Sequence, residues 1–206
     1  MVLFLLAGCS GAGFGEAPRQ VPLFGGEVMV AGPPGYCVDQ GSLRRGPGGS
    51  FVLLTGCDRV SGRPERGVQP AVMTVSVMPR PDAPLGSLSE ELASSVAPAK
   101  ILERYEADEV SLVQLGEGGD QLLPEGDPRY WRAVVEVKGH LTGLAVYGPR
   151  GSAVSGPEGR RLVLALAGSI LDASTSDGVD RASTGEPETG STGLAGFLGG
   201  LFPNDE

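Results

Sequence analysis

The order of elements in this 206-residue sequence predicts an α+β fold: an antiparallel sheet of about six strands, packed by two or three helices, with a disordered acidic C-terminal tail. Three observations point there. Several short runs of strand formers succeed one another before the first helix signal. A clear hairpin runs from Tyr130 to Tyr147. An amphipathic stretch from Arg160 to Leu171 follows it. Consecutive strands with few helices suit an antiparallel sheet, whereas a parallel sheet alternates strand and helix.

Glu27 to Ala31 is the first strand candidate. Gly32-Pro33-Pro34-Gly35 then forces a turn, because proline fixes φ and glycine admits positive φ. Tyr36 to Asp39 is extended or in a loop, and Gly41 to Ser50 reads as a polar, glycine-rich connection. Phe51 to Thr55 is short and apolar, as a buried strand should be. Asp58 to Pro70 reads as another polar connection. Val72 to Met78 alternates well enough for a strand, closed by Pro79 and Pro81.

Ser87 with Glu90 three residues later fits a capping box, and Leu88, Leu92, Ser95 and Val96 share one helical face. Lys100 to Tyr105 reads as a second short helix, Val110 to Leu115 as a strand, and Gly116 to Asp120 as a loop. In the hairpin, Trp131, Ala133, Val135 and Val137 lie on one face, opposite Tyr130, Arg132, Val134, Glu136 and Lys138. Gly139-His140 supplies its two-residue turn. Ser155 with Glu158 around Pro157 repeats the capping pattern. The helix that follows carries Leu162, Val163, Leu166, Ala167 and Ile170 at core spacing.

From 173 to 206 the chain is rich in Gly, Ser, Thr, Asp and Glu, a composition that cannot bury enough surface to order itself. From Asp172 onward seven acids stand against Arg181, a net of −6 out of the chain's −9, so the body is only mildly acidic. A negative chain disfavours nucleic acid as a partner. Within the tail, Leu194 to Phe202 is an isolated apolar segment, either a short partner-binding motif or a terminus under no constraint.

The start of the chain places it in a compartment. Leu6-Ala7-Gly8-Cys9 closes the apolar run Met1 to Leu6 and resembles the lipobox of bacterial lipoproteins. That resemblance implies a signal peptide over 1–8, cleavage before Cys9, and acyl chains, palmitate among them, on Cys9. The first basic residue is Arg19, so a charged n-region is expected upstream of Met1. Residues 9–25 then form a flexible Gly-, Ala- and Pro-rich tether, and 26–172 a single domain. Ser10, rather than Asp, follows the cysteine. In lipoproteins of well-studied Gram-negative bacteria that goes with the outer membrane, facing the periplasm.

With Cys9 acylated, Cys37 and Cys57 remain as an even pair in an exported protein, which reads as one structural disulfide. A loop of about 20 residues closed this way contributes about 3 kcal/mol in the chain-entropy account. A reactive or metal-binding pair is the competing reading. It lacks a Cys-x-x-Cys motif, and His140 is distant in sequence.

The element order from Glu27 to Ala173 is similar to that of PsbP-like photosystem accessory proteins. The Pro-Pro-Gly-Tyr turn, the Ser-capped helix and the Trp131 hairpin before the last helix carry the likeness. The segment Gly32-Pro33-Pro34-Gly35-Tyr36-Cys37 also resembles one found in small alphaproteobacterial lipoproteins. Neither likeness implies an activity.

No catalytic signature emerges. One histidine cannot build a histidine triad or a multi-histidine metal site, and His140 in a hairpin turn reads as a solvated polar residue. There is no nucleophile elbow, Ser-x-x-Lys pair or phosphate loop. Glu103, Glu106, Asp108 and Glu109 form the densest acidic cluster of the body, without EF-hand spacing, and read as solvated acids. Trp131 reads as core, although it and Tyr130 could line a groove. Arg44-Arg45 is too short a basic stretch to argue lipid binding.

The expected function is a lipid-anchored cell-envelope module that binds or scaffolds without catalysis. Its expected partners are the bilayer, through Cys9, and an envelope protein; no cofactor, metal or catalytic residue is assigned. The alternative is an envelope enzyme using a carboxylate pair such as Glu103 and Asp108 as general acid and base.

Overall fold

The computed structural model describes residues 17–62, 67–82, 84–107 and 109–176. The lipobox-like segment, Asp108 and the apolar segment of the tail lie outside the described residues. In chain order the strands are β1 (Gln20–Leu23), β2 (Val28–Ala31), β3 (Tyr36–Gly46), β4 (Gly49–Gly56), β5 (Val72–Val77), β6 (Ile101–Ala107), β7 (Val110–Leu115), β8 (Tyr130–Val137) and β9 (His140–Tyr147). The helices are α1 (Cys57–Ser61), α2 (Leu88–Val96), α3 (Gly119–Leu122) and α4 (Pro157–Ser176).

A strand buried on both faces loses the alternation of apolar and polar residues and belongs in the middle of a sheet. β9 is buried over its whole length, and it lies at the centre of a seven-stranded sheet of order β3-β4-β5-β9-β8-β7-β6. Every pairing in that sheet is antiparallel, and β1 with β2 makes a separate two-stranded ribbon. The architecture is therefore α+β, with more strands than the sequence reading counted.

The main core lies between one sheet face, α4 and the β1–β2 ribbon. It gathers Val52, Leu54, Met73, Val75, Trp131, Ala133 and Val146 from the sheet against Val163, Leu166, Ala167 and Ile170 of α4. Fully burying a Val, Leu or Ile side chain stabilises by about 1.5–3 kcal/mol, so this helix face is a major contributor. A smaller cluster on the other face packs Leu92 and Val96 of α2 onto Val113, Leu115 and Val134. Cys37 and Cys57 are disulfide-bonded and tie the start of β3 to α1.

Several sequence expectations change in the structure. Residues Gly41 to Gly46 continue β3 and pair back onto β4 through a turn at Pro47-Gly48, with a bulge between Asp39 and Arg44. Lys100 to Tyr105 is not a helix: β6 runs from Ile101 to Ala107 as an edge strand on β7. Its helix-favouring residues yield to the unpaired edge of β7, as tertiary context commonly overrides propensity. Gln20 to Leu23, placed in the tether, forms β1, and α4 passes the expected helix end at Leu171 to reach Ser176. Short helices occupy Cys57–Ser61 and Gly119–Leu122, where connections were expected.

Neither capping box forms. Ser87 precedes α2 but makes no side-chain cap bond, and Ser155 spends its hydroxyl on Asp127 and the Ser152 carbonyl. The hairpin turn is Lys138-Gly139, both with positive φ as a type I′ turn needs. His140 is thus the first residue of β9 and is 2% exposed rather than solvated.

The last helix is seated by one close approach. Gly159 lies in its first turn over Trp131, whose indole Nε1–H donates to the Gly156 carbonyl at 2.8 Å. A Cβ at Gly159 would collide with the Val154 carbonyl oxygen and meet Trp131 Cδ1 at 2.6 Å. Two outcomes are expected in denaturant unfolding. Gly159→Ala should destabilise by about 1–3 kcal/mol through overpacking, although alanine is the better helix former. Ile170→Ala should lose about 2–5 kcal/mol.

Candidate functional site

Three polar clusters and one groove are the candidate sites among the described residues. The first cluster centres on Asp127, between α3 and β8 and 4% exposed. Its carboxylate accepts from Arg129 N–H at 3.0 Å, Arg129 Nε at 3.1 Å, Arg129 NH2 at 3.2 Å, Gly151 N–H at 2.9 Å and Ser155 Oγ at 3.0 Å. The Arg129 guanidinium, helped by these N–H and O–H donors, holds the acid well below the usual carboxylate range against the opposing effect of burial. A carboxylate so fully engaged is a poor base. It joins the loop before β8 to the loop before α4.

The second cluster surrounds His140. Its Nδ1–H donates to the Met78 carbonyl at 2.8 Å, and Nε2 faces the Glu27 carboxylate at 2.9 Å. Arg80 binds the other Glu27 oxygen at 3.1 Å, and the Phe24 ring lies 4.5 Å from the imidazole. The hydrogen bond from His140 lowers the Glu27 pKa. This set pins the turn of the β1–β2 ribbon to the β8–β9 turn. The ribbon is held along β2 as well, by Ser174 of α4, whose Oγ accepts the Met29 N–H at 2.9 Å.

The third cluster contains the acids singled out from sequence. Glu103 is exposed on β6 and accepts the Tyr105 hydroxyl at 2.6 Å. Glu106, also exposed, accepts from Ser111. Tyr105 is covered by the Arg160 guanidinium, 4.3 Å from the ring centre, and leans on Trp131. Glu103 sits in no cleft with a second acid among the described residues, and Asp108 lies outside them. Trp131 is 1% exposed and belongs to the core. Arg44 and Arg45 are exposed, and each donates to backbone carbonyls.

The groove lies on the face of the sheet away from α4. Paired residues of neighbouring strands point to the same side, so the rows Arg132–Ala145–Thr74 and Val134–Gly143–Ser76 share that face. β9 offers only Gly143 and Ala145 between the larger flanking positions, and the sheet is depressed there. α2 covers β7 and β8 but stops short of β5, while α3 supplies a wall with Gly118, Gln121 and Leu122. The remaining lining includes Phe51, Tyr130 and Tyr147.

The groove combines apolar surface with a few converging polar groups, the usual composition of a ligand site. Tyr130 and Tyr147 stack with ring centres 4.8 Å apart, and burial pushes both phenols up. They are therefore neutral donors at physiological pH. Arg132 adjoins the Tyr130 phenol and is the one charged residue of the lining among the described residues. Among those residues the lining includes neither a carboxylate nor a histidine.

Sequence reasoning missed Thr74, Ser76 and Arg132 as site residues. The signal present was two hydroxyls at alternate positions of an otherwise apolar strand. That pattern marks one face of β5 as polar but does not reveal what stands opposite.

The chain matches no protein-family model and no curated protein. Its fold is similar to two solved structures: a mutant of protein Mog1, and the Saccharomyces cerevisiae Ran-binding protein Mog1p. Each is 12% identical with a TM-score of 0.39; the first match covers 75% of this chain and 89% of that one, the second 77% and 91%. No helix of the described residues is long and apolar enough to cross a membrane.

Asp127 gives a pH signature. Its folded pKa is depressed, so its contribution to stability is complete above the ordinary carboxylate value of about 4 and is lost as pH falls toward the folded value. Asp127→Asn is expected to cost about 2–3 kcal/mol at neutral pH. The gap between variant and parent in chemical unfolding should narrow below about pH 4. A gap that stays constant across that range would contradict the ionised role.

Proposed function

We infer that this chain is a lipid-anchored cell-envelope module that binds rather than transforms its partner, with the groove beside β5 and β9 as its binding surface. The observation that carries the binding reading is the make-up of that groove: an arginine, two hydroxyls and a stacked tyrosine pair over an apolar floor. These groups recognise a ligand by charge and hydrogen bonding. Among the described residues the lining contains no group suited to take up a proton near neutral pH.

The anchor rests on Leu6-Ala7-Gly8-Cys9, with Cys9 as the acylated residue. Three acyl chains, as lipoproteins carry, exceed the two signals that stable anchoring needs. The Cys37–Cys57 disulfide suits the oxidising side of a membrane. Ser10 supports sorting to the outer membrane with the domain in the periplasm. An enzyme built on Glu103 gains nothing from the exposed setting of that residue.

Cys9→Ser should move the protein from the membrane to the soluble fraction or leave it unprocessed. Mass spectrometry of the parent's mature N-terminus should find acylated Cys9. An unmodified cysteine there would sink the anchor. Density-gradient separation is expected to place the parent with outer-membrane markers, and exclusive inner-membrane recovery would reject the sorting.

A further inference from the structure

We propose that the groove is a binding site for a small organic carboxylate, with Arg132 receiving the carboxylate and the apolar floor receiving the rest of the molecule. This rests on the groove being a binding surface, as argued above, and assigns the chemistry of what enters it.

Two independent observations point to an anion. Arg132 is half-buried on a sheet face and pairs with no carboxylate among the described residues. The chain carries 25 acids against 16 basic residues, so an arginine beside a groove free of acids is a selective arrangement. The second observation is Ser76. It is 2% exposed and lines the groove, so its hydroxyl sits on the groove wall within reach of what enters. A ligand oxygen seated there would accept a hydrogen bond from that hydroxyl.

The register sets the geometry. Arg132 stands opposite Ala145, and Ala145 opposite Thr74; Ser76 is opposite Gly143. Arg132 and the β5 hydroxyls are therefore two strand spacings apart, about 10 Å, with only a glycine and an alanine between them. A guanidinium can hold a carboxylate with two parallel hydrogen bonds, and its attraction is stronger beside an apolar floor than in water. Inorganic phosphate would satisfy the arginine but leave Phe51, Leu122 and Ala145 uncovered. A carboxylate joined to an aromatic or aliphatic body covers both.

The test is titration of the full chain with benzoate, hexanoate, benzamide and inorganic phosphate, followed by backbone amide NMR. Benzoate or hexanoate should saturate with a dissociation constant of about a millimolar or lower, moving the Gly118, Gly143 and Ala145 signals. Benzamide, of the same shape without the charge, should bind at least about tenfold more weakly. Arg132→Gln should weaken binding about tenfold or more, Arg132→Lys less, and Ser76→Ala about threefold, with melting curves showing each variant folded.

The proposal is overturned if neither carboxylate saturates, if benzamide binds equally well, if phosphate alone binds, or if a folded Arg132→Gln binds unchanged. A photo-crosslinking residue at Gln121 separates this failure from that of the binding reading. A discrete adduct in membranes without carboxylate binding would leave the groove a binding surface for another ligand. With neither adduct nor ligand, both readings fall.

Discussion

A sheet seven strands wide is too broad for one helix to cover. Six strand spacings of about 4.8 Å span about 29 Å, whereas a helix with its side chains is about 10 Å across. The sequence invests its one long helix, α4, on a single face, and the β1–β2 ribbon fills the remainder of that face beside it. The opposite face receives the two-and-a-half turns of α2, set over β7 and β8, and the single turn of α3. What α2 leaves open over β5 and β9 becomes the groove. The site thus follows from unequal coverage of the two faces, and it keeps an arginine and two hydroxyls beside its apolar floor because it stays near water.

That arrangement depends on parts that would otherwise drift. A two-stranded ribbon is marginal by itself. Here it is pinned at its turn by the His140–Glu27–Arg80 set and along β2 by Ser174. The loops before β8 and before α4 are joined through the Asp127 carboxylate. Each fastening is a buried or half-buried polar group with its partners supplied, which fixes geometry because the unpaired alternative is costly. Gly159 plays the complementary part, as an absent side chain that lets α4 come down onto Trp131.

The apolar patterns made much of this legible. The hairpin of β8 and β9 apart from its turn, the buried face of α4 and the α2 face at Leu92 and Val96 could be read from periodicity and appear as read. Segments whose state is decided by a neighbour were not legible. Ile101 to Ala107 has the residues of a helix and becomes a strand because β7 offers an edge. Gly41 to Gly46 looks like a loop and pairs because β4 returns beside it. His140 looked like a surface residue because its partners, Met78 and Glu27, are 62 and 113 residues away in sequence. The groove was hidden for the same reason: Thr74, Arg132 and Gly143 meet only through strand register, which no local pattern displays.

The two margins of the main sheet carry a different consequence. β6 is an outer strand whose pairing slips between Ile101 and Glu103, and it bears Glu103, Arg104 and Glu106. β3, at the other margin, slips between Asp39 and Arg44 and bears Arg44 and Arg45 near its end. Kinked, charged borders make poor templates for another strand. The same borders that end the sheet thus disfavour its extension by a strand of a second copy.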